Sequence, residues 1–136
     1  MNISYLPHTA DIRMRVTAPS LEKLFIRAVE GMNGILKEEF CRLAIPVKNG
    51  TTLEFSGTDH TAMLVDFLSE VLSLSYAEKR IFCDIEIVLS EDRLWARLFG
   101  VPVGIFDEEI KAVTYHEAKV DRNDKDEWEA TILFDI

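Results

Sequence analysis

Basic residues are scarce in this chain: 15 Lys and Arg stand against 24 Asp and Glu, a formal net charge of −9 over 136 residues. That balance argues against a direct grip on a nucleic-acid backbone, where Lys and Arg must neutralise phosphates. It argues equally against an anionic membrane surface. No apolar run approaches the ~20 residues that cross a bilayer. The opening Met1-Asn2-Ile3-Ser4-Tyr5-Leu6-Pro7-His8 lacks a basic segment followed by an apolar one, so a cytoplasmic protein is expected. Cysteine is nearly absent. Cys41 and Cys83 lie in separate segments with no C-x-x-C, so neither a disulfide framework nor a zinc knuckle is expected, and two reduced thiols behaving as small hydrophobes are. The signatures of self-contained catalysis are missing too. No P-loop, G-x-G-x-x-G, G-x-S-x-G, H-E-x-x-H or Cys–His nucleophile pattern occurs.

What remains is an ordinary globular composition, 48% apolar and 29% charged. Domains typically hold ~100–150 residues, so a single domain over 1–136 is expected, without linker, repeat or low-complexity tract. Residues 12–16 alternate, with Ile12, Met14 and Val16 on one face and Arg13 and Arg15 on the other, which marks a half-buried strand. Ser20 then offers a cap for a helix whose stripe is Leu21, Leu24, Phe25, Ala28, Val29 and Met32, fraying or ending near Gly31 and Gly34. Lys48-Asn49-Gly50 reads as a turn before a short strand at 51–55. Thr58 or Asp59 caps a second helix with the stripe Met63, Leu64, Phe67, Leu68, Val71 and Leu72. A period of two returns from residue 83, and Ser90-Glu91-Asp92-Arg93 turns the chain into a strand at 94–99. Two more strands follow at about 111–120 and 128–134. The pattern predicts an α+β two-layer sandwich, a mostly antiparallel sheet with two helices packed on one face.

Charge gathers late in the chain. Residues 107–136 hold ten acids against four bases. Most of these acids alternate with apolar residues or lie in a turn, the pattern of a solvated strand face. Asp135 differs, because Asp is depleted from strands and this one ends a strand beside Ile136. Asp11 opens the first clear strand. If the last strand pairs antiparallel with it, the two carboxylates converge, and with the terminal oxygens of Ile136 they suit a hard divalent cation such as Ca²⁺, Mg²⁺ or Mn²⁺. Both also read as turn acceptors. His8 and His116 read either as a base or soft-metal ligand or as a ring bonded to backbone, and Lys111 as an edge lysine lying along apolar surface.

Three segments together carry a resemblance. His8-Thr9-Ala10-Asp11-Ile12-Arg13-Met14 resembles the amino-terminal signature of the archease family. Glu109-Ile110-Lys111-Ala112-Val113-Thr114-Tyr115-His116 resembles its second, more specific block, and Phe134-Asp135-Ile136 its ending. The order of strands and helices agrees as well, so the similarity runs over essentially the whole chain. The resemblance implies an accessory, non-catalytic protein. Archeases assist the RtcB-type RNA ligase, which joins ends carrying 2′,3′-cyclic phosphate or 3′-phosphate to 5′-hydroxyl ends in tRNA splicing and RNA repair. They promote the ligase's metal- and GTP-dependent guanylylation and its turnover. The family's metal-binding aspartates fall on Asp11 and Asp135, with Ile136 adding an oxygen; calcium, magnesium or manganese is implied and no organic cofactor. His8, Lys111 and His116 match as support for the site or for partner contact. The implied partner is the ligase, with no direct nucleic-acid binding and no membrane. The alternative is a chaperone or modulator of an RNA-modifying enzyme such as a tRNA methyltransferase, and a third reading is a metal-dependent hydrolase of small phosphoesters. One departure stands out: the loop before the second block, often longer and polar in the family, is here the short apolar Gly100-Val101-Pro102-Val103-Gly104-Ile105-Phe106. It is expected either to fill the core or to form a docking patch.

Overall fold

Alternating stretches become strands and the two apolar stripes become helices. A computed structural model describes residues 3–6, 11–42, 45 and 49–136. In it the chain runs β1 (Ile3–Leu6), β2 (Asp11–Ala18), α1 (Leu21–Leu36), a 3₁₀ turn (Phe40–Arg42), β3 (Thr51–Ser56) and α2 (His60–Glu78). It continues through β4 (Arg80–Leu89), β5 (Arg93–Pro102), β6 (Ala112–Arg122) and β7 (Trp128–Asp135). The class is α+β, as expected. The strands divide into two antiparallel sheets, ordered β1-β2-β7-β6 and β3-β5-β4, and both helices contact strands of both sheets. The helices thus provide the apolar surface on which both sheets close. Lys48, part of the expected turn, lies outside the described residues.

Both caps form as the sequence indicates. Ser20 Oγ accepts the Lys23 N–H at 3.2 Å and Asp59 Oδ1 accepts the Ala62 N–H at 2.8 Å, each relieving an otherwise unpaired first-turn donor. The predicted stripes are buried except for half-buried Leu21, with Phe25 of α1 stacked on Phe67 of α2 at 6.0 Å between ring centroids. Gly31 and Gly34 do not end α1, which continues to Leu36. A Cβ at Gly31 would lie 2.3 Å from Met14 Sδ, and one at Gly34 would lie 2.8 Å from the Tyr5 hydroxyl. The two glycines are a notch that lets β1 and β2 approach the helix, and Tyr5 fills it by donating to the Gly31 carbonyl at 2.8 Å. β1 carried no pattern of its own and was not expected.

The cysteine expectation is overturned: Cys41 and Cys83 are joined in a disulfide, and neither is free. Their separation of 42 residues hides a Cα–Cα distance of 5.3 Å, well inside the bridging range. The cause is local. The 3₁₀ turn after α1 returns the chain to β4, where the pairing register with β5 shifts between Phe82 and Asp84. Cys83 is the extra residue of that bulge, and the shift buries Ile81 and Phe82 together.

The apolar loop serves the core. Residues 100–102 extend β5, Val103 is buried and donates to the Lys79 carbonyl at 3.0 Å, and Phe106 meets Tyr76 edge-on at 5.2 Å. Ile105 points outward, 76% exposed. Among the described residues no helix is long and apolar enough to cross a membrane.

Candidate functional site

The core dictates where the acidic residues meet. Met14 and Val16 of β2 and Ala130, Ile132 and Phe134 of β7 are fully buried, which fixes one parity on each strand inward. Pairing then runs from Asp11 opposite Asp135 to Ala18 opposite Trp128. A slip of one residue would turn every apolar side chain outward. Directly opposed residues share a face, with Cβ atoms ~4.5–5.5 Å apart. Asp11 and Asp135 therefore stand side by side, both half-buried, with half-buried Ile136 next to them. Like charges so placed repel.

Asp135 is held from both sides, because it also pairs with Ala112 of β6 and its carbonyl accepts the Lys111 N–H at 2.7 Å. Residues 107–111 form a strap between this point and the helices. At one end the Asp107 N–H donates to the Leu36 carbonyl at 2.7 Å, and Lys37 Nζ lies 3.1 Å from Asp107 Oδ1. In the middle, Tyr76 donates to the Ile110 carbonyl at 2.8 Å and accepts the Ile110 N–H at 2.7 Å, so one phenol satisfies both backbone groups of a buried residue. Burial pushes the Tyr76 phenol above its ordinary value, the Ile110 bond opposes this, and the charges of Glu109 and Glu108 push it further up. The side chain of Lys111 is exposed. Its contact with the site runs through its backbone.

His116 does not join the carboxylates. It lies four residues beyond Ala112 on a bulge where residues 115–118 face Ile132, between the pairs Thr114–Leu133 and Lys119–Thr131. Its side chain is 77% exposed, with Nε2 3.8 Å from Glu117 Oε2. The bulge turns on Glu117, whose φ of 59° is left-handed, and Glu117 reaches across the sheet to Arg13 at 2.6 Å. Tyr115, 60% exposed, donates to Asp66 of α2. That bond is the main reason its phenol titrates above the ordinary value, ahead of a small burial effect and the charges of Asp66 and Asp59. His8 lies outside the described residues. The Arg13–Glu117 clasp and the Tyr76 strap were not foreseen, and a left-handed glutamate leaves no mark in sequence.

The donor set suits a hard cation: two carboxylates and main-chain oxygen, with no sulfur ligand among them. Among the described residues no group of three or more His, Cys, Asp or Glu is placed to hold a metal by itself. The chain thus presents two opposed carboxylates at the β2–β7 end.

Comparison with known proteins now bears on the whole chain. The Archease protein family model matches residues 4–136. The archease of Methanopyrus kandleri is 29% identical over 140 residues, covering 96% of each chain. That of Pyrococcus furiosus is 30% identical over 137 residues, covering 95% of this chain and 94% of its own. Among solved structures, Methanobacterium thermoautotrophicum protein 1598 superposes with a TM-score of 0.79 at 20% identity over 98% of each chain. A structure from Thermotoga maritima described as an archease, possible chaperone, gives 0.63 at 20% identity, over 96% of this chain and 94% of its own. With the family match spanning both strands that carry the aspartates, the chain belongs to the archease family.

Proposed function

We propose that this protein is an accessory activator of an RtcB-type RNA ligase, promoting metal- and GTP-dependent guanylylation through a cation held at Asp11, Asp135 and Ile136. The observation that carries the reading is the in-register opposition of Asp11 and Asp135. Two carboxylates are the usual protein share of a Mg²⁺-type site that is completed by water and substrate phosphates. A half-site therefore fits a protein that works at another protein's nucleotide pocket. When bound, the cation supplies positive charge against the negative charge that develops as the nucleotide is transferred.

The chain's own residues do the positioning. Asp135 is fixed between β2 and β6 by its pairing and by the Lys111 N–H, and the Tyr76 strap fixes Lys111 in turn. The acidic surface, −9 overall, favours encounter with a basic pocket and makes the encounter salt-sensitive.

The test is ligase guanylylation with limiting GTP in the presence of wild type, Asp11→Ala or Asp135→Ala, each checked for folding by circular dichroism. Loss of a group that supports a metal site typically costs ~10–100-fold, and stimulation is expected to fall by at least that lower bound. Unchanged stimulation by both folded variants removes the half-site from the mechanism. Co-purification with an RNA methyltransferase in place of a ligase assigns the modulator role instead.

A further inference from the structure

We propose that Cys41 and Cys83 are a reversible thiol–disulfide pair, a redox modification site that latches the 3₁₀ turn onto β4 and is worked by low-molecular-weight thiols and disulfides of the glutathione class. The site is separate from the carboxylate pair and does not depend on the ligase reading.

Both cysteines are half-buried and line a surface cleft of about 150 Å³, so a small reagent reaches them. Asn33 of α1 lines the same cleft and is only 5% exposed. Its Nδ2 donates at 3.0 Å to the carbonyl of Phe82, the residue before Cys83, while its Oδ1 has no hydrogen-bond partner. A buried acceptor without a donor calls for an explanation. A disulfide has no hydrogen to give. Reduction places two S–H donors in the cleft that Asn33 also lines. A thiol that bonds to Oδ1 would partly offset the loss of the cross-link, which is what a reversible pair needs and a permanent staple does not.

Besides the packing of half-buried Phe40 against the core, the turn has this bond as its covalent tie to β4. Its backbone hydrogen bonds are local and long, Phe40 N to Lys37 O at 3.3 Å and Arg42 N to Glu39 O at 3.2 Å. Among the described residues no backbone hydrogen bond ties it to a strand. Around the cleft the cations of Lys37 and Arg42 are matched by Glu30 and Glu39, so a thiolate attacking the disulfide is not repelled by a net negative wall.

The exchange balances as two steps. A small thiolate attacks one sulfur of the pair, the S–S bond breaks, and the released cysteine sulfur takes up a proton. A second small thiolate then attacks the small-molecule sulfur of the mixed disulfide and frees the other cysteine, which is protonated in turn. The protein disulfide gains two electrons, and two small thiols become one small disulfide.

The experiment equilibrates the folded wild-type protein with reduced and oxidised glutathione over a range of ratios, then quenches, alkylates and counts labelled thiols by mass spectrometry. Hydrogen exchange is followed in parallel at residues 38–42. The expected result is a single passage from no labelled thiols to two, reversed when oxidised glutathione is restored. Exchange at 38–42 is expected about tenfold faster in the dithiol form, with β2 and β7 unchanged. A bond that stays closed at every ratio until the protein unfolds is a permanent staple and overturns the proposal. So does a dithiol form that fails to re-close, or one whose turn exchanges no faster. The Cys41→Ala, Cys83→Ala double variant gives the open-turn reference, and if it does not fold the wild-type titration still decides.

Discussion

Replacing Cys41 and Cys83 together by Ala removes the covalent tie between the turn after α1 and the bulge of β4. The stabilisation at stake follows from the 42 residues between them. In the chain-entropy treatment, a loop of that length withdraws about 4 kcal/mol of freedom from the unfolded ensemble. Unfolding entropy runs near 2.1 cal/mol/K per residue, so over 136 residues the melting temperature is expected to fall by about 14 °C. Guanidinium unfolding of the oxidised wild type against the double variant measures the free energy directly. The slope against denaturant is informative as well, because an unfolded chain freed of its cross-link exposes more surface and unfolds with a steeper dependence. A loss of under ~1 kcal/mol with an unchanged slope would refute the reasoning, since it would mean that the unfolded chain already holds these segments together.

Gly31→Ala is expected to destabilise by about 1–2 kcal/mol although Ala is the better helix former, because the new Cβ meets Met14 Sδ at 2.3 Å and Met14 is fully buried. Thermal melts of the variant check this, and a gain in stability would show the notch to be slack. Tyr76→Phe strips both partners from the backbone of buried Ile110 and is expected to cost about 2 kcal/mol, read from denaturant midpoints. In alkaline solution the sign follows from the raised phenols of Tyr76 and Tyr5, both lifted chiefly by burial above the usual value near 10. The fold prefers the neutral phenols, so their contribution is whole below about pH 10 and is lost as pH climbs through the folded-state values. Phenolate absorbance and unfolding free energy followed together across that range are expected to change in concert, and stability that rises there contradicts the assignment.

The elements that bury a regular stripe were legible in the sequence. Both helices, their caps at Ser20 and Asp59, and the strands from β3 to β7 lie within a few residues of where their periodicity puts them. β1 was not legible, because four residues at a sheet edge carry too short a pattern. Gly31 and Gly34 misled because the same residue ends helices and admits close neighbours, and only the neighbour distinguishes the two uses. The disulfide was missed for the same kind of reason, since a gap of 42 residues carries no distance until β4 bulges at Cys83. The placement of Asp11 against Asp135 was the most accessible part of the site, because it follows from strand order and parity. The arch at 115–118 was the least accessible, as nothing in Tyr115-His116-Glu117-Ala118 announces a left-handed glutamate.

That contrast bears on how the site can change. The two carboxylates do not choose their position; the buried residues of β2 and β7 choose it for them by excluding every other register. Swapping either carboxylate for an amide alters the charge at the β2–β7 end without touching an apolar contact of the core. Opposed like charges weaken a strand pair, yet this chain places them on a register held by fully buried Met14, Val16, Ile132 and Phe134. A core that strong holds the two carboxylates side by side at one end of a rigid sheet. The strap of residues 107–111 then has a clear physical role: by pinning the Asp135 backbone to Lys111, and Lys111 through Ile110 to Tyr76, it holds the end of β7 in place. Loosening that strap by Tyr76→Phe should therefore weaken any cation-dependent stabilisation along with the fold, whereas Asp135→Asn should abolish the first and spare the second.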